Sequence, residues 1–326
     1  MKPIWKKRLG STWKSLSSCF QSAKTSSGTS LQENENVILM AESHKKRLGS
    51  ADPSGLQPLA LSAHNLLLLA LHSLWKNPTG QELAYTFHTP RRTISFYQTR
   101  LWPILDQCLQ EFVSPPVVRN LPRFDTGPLK GAFIMIDSTP TPIRQPINHA
   151  DRKLYYNYKK KPTRYAMKTQ IAVGLDLRIW DVSSTYPFSV HDKTVFQESK
   201  IPHWLSDRKL ALGDLGYKSL PNVIVPHKKP RGRELTSSEK LFNYQLAHVR
   251  VAIENIFKRV KDYRIISEIY RRDYHKLEQF NCIFKVVCEL VNIHTQTHPV
   301  RRQLSSMRKL PMVLQPPRLS SLTKPP

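Results

Sequence analysis

The chain has 326 residues, with 50 Lys and Arg against 24 Asp and Glu, which gives a net charge of +26 and a pI near 10.1. Such a positive field attracts polyanions and is atypical of metabolic enzymes, so nucleic acid is the first partner to consider. Residues 58–296 alone carry +15. The longest apolar run, Leu66 to Leu71, is too short to span a bilayer, and the four cysteines form no CxxC pair. We expect a soluble, intracellular protein in a reducing compartment.

The first segment, residues 1–57, is rich in Ser, Lys and Gly and includes basic clusters at 6–8 and 45–47. This composition predicts a flexible basic arm. The clusters could bind phosphates or act as a nuclear address, and a solvated tail is the alternative.

Residues 58–112 read as an all-α module. One helix is expected over Leu59–Trp75, a short second one over 79–87, and a third that begins with Thr89 as N-cap and Pro90 at the first helical position. Two short helices with a tight break between them fit a helix-turn-helix, and an ordinary helical hairpin is the alternative. In the first case the residues that face DNA are Arg91, Arg92 and Arg100.

Residues 113–130 contain four prolines and are expected to form a linker. From 131 the pattern changes to strands, with a hairpin of strands over 167–175 and 179–186 that turns around Asp176. Two helices, roughly 237–263 and 275–296, close this second domain. Hairpin strands followed by strands that alternate with helices predict an α/β fold with a mixed sheet. The last segment, 297–326, has no acid and is expected to be a disordered basic tail.

Three carboxylates stand out in residues 131–296. Asp137 and Asp214 each follow an apolar run that reads as a buried strand, so each acid is expected at a strand's carboxyl end. Glu254 lies inside a helical stretch. Two strand-end aspartates and a helical glutamate fit a site for two Mg²⁺ ions, which are held by oxygen ligands and clamp both oxygens of a phosphoryl transfer. The alternative for each aspartate is a structural turn, and Gly216 suits a positive φ in the second.

The helix that carries Glu254 has a charged stripe. At ~100° per residue, Arg250, Glu254 and Lys261 lie on one side, and the apolar residues form a separate stripe. Arg and Lys beside a carboxylate keep it ionised and can also hold a phosphate backbone. An exposed Arg–Glu pair on a solvated face is the alternative.

Two basic loops flank these acids. Residues 152–165 interleave cations with tyrosines and include Lys159, Lys160 and Lys161, a pattern that fits backbone neutralisation with base stacking. A charged surface hairpin is the competing interpretation. The second loop, 227–233, includes Lys228 and Lys229. His191 and Asp192 could form a catalytic pair, but capping of a helix or support of the ligands from behind is favoured.

Ordered motif blocks over about half the chain resemble the DDE superfamily endonuclease domain of PIF/Harbinger-type and related bacterial insertion-sequence transposases. These blocks are Asp137-Ser138-Thr139 with Pro142-Ile143 and Pro146, Tyr155-Tyr156, Lys159-Lys160-Lys161, Lys168-Thr169-Gln170, His191-Asp192, Phe196, Glu198-Ser199, Gly213-Asp214-Leu215-Gly216-Tyr217, Pro226 to Gly232, and Arg250, Glu254 and Lys261. The preceding region, 58–112, is similar to the helix-turn-helix of such transposases.

The resemblance implies an RNase H-like mixed sheet flanked by helices, with Asp137, Asp214 and Glu254 as the metal-binding triad. The chain departs from the family at Ser138, where Gly is usual, and at Ala247, where related transposases have Tyr. The segments before His191 and before the lysine run also differ. All three ligand positions remain acids.

The function implied is a transposase, that is, an endonuclease and strand transferase that uses Mg²⁺, or Mn²⁺, at two ions per site. Its partners would be transposon terminal repeats and target DNA, bound by a homodimer or higher oligomer that pairs two DNA ends. It would act in the cytoplasm or nucleoid of a bacterium or the nucleus of a eukaryote. The alternatives are a catalytically decayed DNA-binding protein of the same origin and a nuclease without strand transfer.

Overall fold

The structure is a computed structural model that describes residue 61 and residues 63–115, 123–159 and 163–299. The predicted arm 1–57, Lys160, Lys161 and nearly all of the predicted tail lie outside the described residues. In chain order the helices are α1 Ala63–Lys76, α2 Gly80–Thr86, α3 Arg91–Leu109, α4 His149–Leu154, α5 Asp192–Gln197, α6 Ser237–Lys261, α7 Arg264–Ser267 and α8 Leu277–Thr297. The strands are β1 Ala132–Pro142, β2 Ala166–Gly174, β3 Ile179–Pro187, β4 Leu210–Leu212 and β5 Val223–Ile224, and 3₁₀ turns lie at Gln110–Phe112, Ile201–Trp204 and Leu215–Tyr217.

The first three helices lie where the sequence predicts them, but the cap of α3 differs. The N-cap of α3 is Pro90, which makes no side-chain capping bond. Thr89 is therefore not the cap, because its hydroxyl donates to the Phe87 carbonyl at 2.9 Å. The break before α2 is better capped, since Thr79 and Glu82 form a reciprocal capping box.

The strands form a five-stranded mixed sheet in the order β3-β2-β1-β4-β5. The pairs β1–β2 and β2–β3 are antiparallel, and β1–β4 and β4–β5 are parallel. The two faces of the sheet bury different cores. Met135 and Ile171 pack in a core with α6 and α8, whereas Ile134 and Ile136 pack with Phe196 of α5 on the other face. The predicted α/β class with a mixed sheet flanked by helices is confirmed.

Strand β1 is longer than the sequence predicts. Its pairing with β4 ends at Met135, but its pairing with β2 continues to Pro142, with Asp137 opposite Ile171. Asp137 is therefore in the middle of a strand rather than at its end. The long partner β2 extends the strand past the acid, an effect that no local pattern in β1 could indicate.

The N-terminal helices share a core with the sheet. Ala70, Leu74, Trp102 and Leu109 are buried in the same cluster as residues of β1, β2, α6 and α8. A smaller cluster around Leu69, Leu83, Ile94 and Tyr97 holds the three helices to one another. The helical module is thus fixed against the sheet by apolar packing. No helix among the described residues is long and apolar enough to cross a membrane.

A buried amide fastens α8 to the edge of the sheet. Asn292 is fully buried, and its Oδ1 accepts from the Ile179 N–H at 2.8 Å. Its Nδ2 donates to the carbonyls of Phe112 at 2.6 Å and Ile179 at 2.8 Å. One side chain therefore joins α8, the start of β3 and the turn that ends the helical module.

We expect Asn292→Leu to lower the free energy of unfolding by about 2–4 kcal/mol, because a side chain of similar size would leave three buried backbone groups without partners. Urea denaturation followed by circular dichroism measures the change. Gln296→Leu, on the exposed side of the same helix, is the control. A loss below roughly 0.5 kcal/mol for Asn292→Leu, the range of ordinary surface substitutions, would show that the three bonds contribute little.

Candidate active site

Asp137 and Asp214 lie side by side because of the register between β1 and β4. The last parallel pairs are Ile134 with Ala211 and Met135 with Leu212. Each aspartate follows two residues after the second of these pairs, and neighbouring strands are only ~4.8 Å apart. The two carboxylates are close enough that the charge of Asp214 helps to raise the pKa of Asp137.

A third carboxylate, Asp192, joins this pair from the first turn of α5. Its charge also raises the pKa of Asp137. Its Oδ1 accepts from the Lys168 ammonium at 3.1 Å, and the Lys168 side chain is only 6% exposed. His191 is the N-cap of α5 and makes no side-chain capping bond. The predicted pair is therefore at the start of the helix but forms no side-chain capping bond, and Asp192 lies near the two aspartates.

Gly216 lies between two of the carboxylates. A Cβ on Gly216 would come within 2.9 Å of both Asp192 Oδ2 and Asp214 Oδ1. The predicted positive φ is wrong, since the φ of Gly216 is not positive. The glycine is needed for space. Its N–H donates to Asp214 Oδ1 at 2.8 Å, so Asp214 also begins the 3₁₀ turn, as the structural interpretation of this aspartate predicted.

Tyr217 is buried next to the acids, and its hydroxyl is hydrogen-bonded. Its ring is fully buried, and its hydroxyl donates to Gln170 Oε1 at 3.0 Å and lies 3.2 Å from Ser138 Oγ. Burial raises the pKa of Tyr217 well above its usual value. Ser138, which replaces the usual glycine of the related family, therefore has a structural partner, and it links β1 to the turn that carries Asp214.

Two cations of α6 lie alongside Asp137. The Arg250 guanidinium donates to Asp137 Oδ2 at 2.9 Å, and the pair is mostly buried. Burial lowers the pKa of Lys261, and the charge of Asp137 raises it. Of the predicted charged stripe, Arg250 contacts Asp137 and Lys261 lies near enough to be affected by its charge.

The environment of Asp137 disfavours its charge. The pKa of Asp137 is raised to about 6, mainly by burial, which Arg250 and the Ser138 N–H oppose and the charges of Asp214 and Asp192 reinforce. A carboxylate of this kind gains most from an added cation.

Glu254 lies on the same helix as Arg250 but is exposed. Within the described ranges, no three His, Cys, Asp or Glu side chains lie close enough together to hold one metal ion. The donor chemistry nevertheless fits a hard divalent cation, because Asp137 is a buried carboxylate and the charges of Asp214 and Asp192 are near enough to act on it. Arg250 now neutralises the aspartate that such a cation would bind.

The predicted basic residues are in exposed positions. Lys159 lies with its ammonium 5.9 Å from the Tyr158 ring. Lys228 and Lys229 are exposed in a loop held to α6 by Asn243, which bonds both the N–H and the carbonyl of His227. Lys229 also pairs with Glu234. All three stay predicted DNA contacts.

Arg91 and Arg92 are both exposed at the start of α3. Sequence reasoning assigned no role to Lys168, Gln170 or Tyr217, although all three occur in the motif blocks. Lys168 and Gln170 alternate along β2, so the two-residue period of a strand could have placed them on one face.

The comparisons with known proteins relate this part of the chain to one family. Residues 136–292, which include Asp137, Asp214 and Glu254, match the family described as DDE superfamily endonuclease. A curated relative is "Probable transposase for insertion sequence element IS702" from Microchaete diplosiphon, which is 24% identical over 153 residues. The match covers 46% of this chain and 53% of the relative, so the chain spans about half of that protein's length. No solved structure matches the chain.

Residues 136–292, just under half of the chain, therefore match the DDE superfamily endonucleases. The resemblance inferred from the motif blocks is confirmed.

The raised pKa of Asp137 predicts a pH-dependent effect of its removal. A carboxyl whose folded pKa is about 6 and whose unfolded pKa is ordinary favours folding while protonated, and this stability is lost as pH rises towards and through 6. Asp137→Asn avoids that loss. Without divalent ions, its Tm relative to wild type should be about 2–4 °C higher at pH 7.5 than at pH 5, which corresponds to roughly 1 kcal/mol.

Differential scanning fluorimetry at both pH values, with EDTA, measures this difference. Asp207→Asn at an exposed position is the matched control for the amide substitution. If the Tm difference between Asp137→Asn and wild type is the same at both pH values, the carboxylate is not destabilised by its surroundings.

Proposed function

We propose that this protein is a transposase whose endonuclease domain cleaves and joins DNA phosphodiesters with the help of divalent metal ions. The observation that carries the proposal is the pairing of Asp137 and Asp214 at equivalent positions on β1 and β4, with Arg250 beside them. The match of residues 136–292 to the DDE superfamily endonucleases supports this proposal.

The sheet supports an RNase H-like fold as the scaffold. Its order is β3-β2-β1-β4-β5, and β2 is the one strand that runs against the others. In this arrangement the central strand β1 and its parallel neighbour β4 deliver acids to one place, and α6 crosses close to the first of them.

Asp137, Asp214 and Glu254 would hold the metal, Mg²⁺ or Mn²⁺, at two ions per site, with His191 and Asp192 supporting them from behind. When bound, the ions activate the attacking oxygen and stabilise the charge on the leaving oxygen. Lys168 holds Asp192 in place through their partly buried ion pair. Glu254 lies one turn after Arg250 on α6, the helix that contacts Asp137.

The cations beside the acids would bind the DNA strand. Arg250 can donate two parallel hydrogen bonds to a phosphate in the planar geometry that guanidinium favours, and Lys261 adds a second charge. Tyr217 and Gln170 contribute a rigid floor from which water is excluded, because both are almost fully buried. Electrostatic interactions are stronger in such surroundings than in bulk water.

The remaining basic residues would extend the DNA interface. Lys159, Lys160, Lys161, Lys228 and Lys229 would neutralise backbone phosphates near the site. Helices α2 and α3 would act as the helix-turn-helix, with Arg91 and Arg92 at the start of the recognition helix. The partners would be terminal repeats and target DNA, held by a homodimer or larger assembly, and the protein would reside where its DNA is.

A DNA-binding protein that has lost catalysis is the competing function. Acids at all three ligand positions favour the enzyme. A nuclease without strand transfer is distinguished by the product, since only a transferase joins the freed 3′ end to a second DNA.

We expect Asp137→Asn and Asp214→Asn each to reduce cleavage and strand transfer by at least about 100-fold, because each removes a ligand rather than a supporting contact. The assay uses labelled DNA that carries the sequences flanking the gene, with Mg²⁺ and separately Mn²⁺. Asp207→Asn is the control. Equal activity in wild type and both variants would disprove the proposed mechanism.

The proposed role of Glu254 as a metal ligand is tested by measuring metal affinity. We expect Glu254→Gln to weaken Mn²⁺ binding about 10-fold or more, the range for loss of a ligand or its close support. Isothermal titration calorimetry measures binding, and Glu278→Gln on exposed α8 surface is the control. Unchanged affinity in Glu254→Gln, with affinity lost in Asp137→Asn, would exclude Glu254 as a ligand.

A further inference from the structure

A cleft of about 340 Å³ lies where the helical module meets the sheet domain. One wall comes from the end of α1, the α1–α2 turn and the start of α3. The opposite wall comes from Arg144, just after β1, and from Tyr270, Arg271 and Arg272 between α7 and α8. We call it the junction cleft. It is separate from the site at Asp137, none of whose carboxylates lines it.

The junction cleft is strongly positive. Of the described residues that line it, four are arginines, Arg91, Arg144, Arg271 and Arg272, and none is acidic. Glu82 acts electrostatically on Arg271, but its carboxylate already accepts from the Thr79 N–H in the capping box. Four guanidinium groups around one cavity repel one another unless an anion lies between them.

The wall also contains a buried hydroxyl without a hydrogen-bond partner and an arginine without an ion pair among the described residues. Tyr270 is 2% exposed, and within the described ranges its hydroxyl has no hydrogen-bond partner. Arg272 forms no ion pair with any described residue and lies 5.7 Å from the Trp102 ring. Burial lowers the pKa of Arg272. Buried donors that lack acceptors are costly, so a ligand with acceptor oxygens would stabilise this wall.

The walls of the junction cleft are held in place before any ligand binds. The Tyr270 N–H donates to the Pro142 carbonyl at 2.8 Å, which ties this wall to the end of β1. Asn77 Nδ2 donates to the Ile269 carbonyl at 3.3 Å and joins the two walls. Gly80 lets Arg91 approach, since a Cβ there would lie 3.2 Å from Arg91 Nε. A preformed site loses little entropy on binding.

We propose that the junction cleft binds a phosphate group of the DNA backbone and thereby anchors the DNA strand between the helical module and the endonuclease domain. Guanidinium groups bind phosphate oxygens in pairs, and the Tyr270 hydroxyl supplies a further donor. The proposal rests on the proposed function for the identity of the polymer, but not on the metal site or on catalysis.

Strand β1 sets the distance between this anchor and the acids. Arg144 follows Asp137 by seven residues, and an extended chain rises ~3.3 Å per residue, so the two are at most about 23 Å apart along the strand. Single-strand phosphates repeat every ~3.4 Å along B-DNA, which makes this a span of roughly seven nucleotides. One DNA segment can therefore reach both places.

The test is DNA binding without divalent metal. Arg144→Gln/Arg271→Gln removes two exposed arginines of the cleft, and Arg123→Gln/Arg208→Gln removes two exposed arginines elsewhere as the matched control. We expect the cleft variant to lose about 10-fold or more in affinity for duplex DNA and to reduce the salt slope by about 1–2, whereas the control changes little. Fluorescence anisotropy in EDTA over a range of NaCl concentrations measures both quantities.

Arg272→Gln should cause a similar or larger loss, with circular dichroism to establish that it folds. Equal losses in the cleft variant and the control, or none in either, would overturn the proposal. A second arm adds inorganic phosphate and follows Tm. If phosphate stabilises wild type and not the cleft variant while DNA affinity is equal in both, the cleft is a site for a small anion and the proposal is wrong. Because no metal is present, failure here leaves the cleavage test of Asp137 unaffected.

Discussion

The parallel register of β1 and β4 is the constraint on which the candidate active site depends. It brings Asp137 and Asp214 to equivalent positions on neighbouring strands, where two negative charges repel each other in a partly desolvated place. Nearby positive side chains offset this repulsion. Arg250 pairs with Asp137, and Lys168 pairs with the third carboxylate, Asp192. Both cations are held in fixed positions, Arg250 on α6 and Lys168 on β2, so they offset this repulsion where it arises.

The same constraint explains the residues between the acids. Gly216 has no side chain because a Cβ would collide with two carboxylates, and Tyr217 beneath it is locked to Gln170 and Ser138. Such packing leaves the acids little freedom to separate. Preorganised charge of this kind is what phosphoryl transfer requires, since the protein contributes position and electrostatics rather than covalent chemistry.

The arginines of the junction cleft, unlike Arg250, are not paired with a carboxylate of the candidate active site. No carboxylate among the described residues lines the junction cleft, and its arginines lie at the start of α3, just after β1 and between α7 and α8, on both sides of the contact between the helical module and the sheet domain. DNA bound there would contact both parts of the chain at once. The central strand β1 would then connect the proposed anchor to the proposed metal site. Part of the positive charge of residues 58–296 would thus lie along the path of one bound DNA strand.

Local pattern was sufficient for most of the fold. Apolar runs and helical periodicity predicted the hairpin, the two long C-terminal helices and the three N-terminal helices, because burial on one face or one stripe dictates these patterns. The acids, the cations of α6 and the family could be read from the residues themselves. Only the tertiary structure decided that β1 continues past Asp137, that Gly216 is needed for space, that Asp192 joins the aspartates, and that four arginines share one cleft. These facts depend on contacts between residues far apart in the chain, and no short-range preference of the sequence records them.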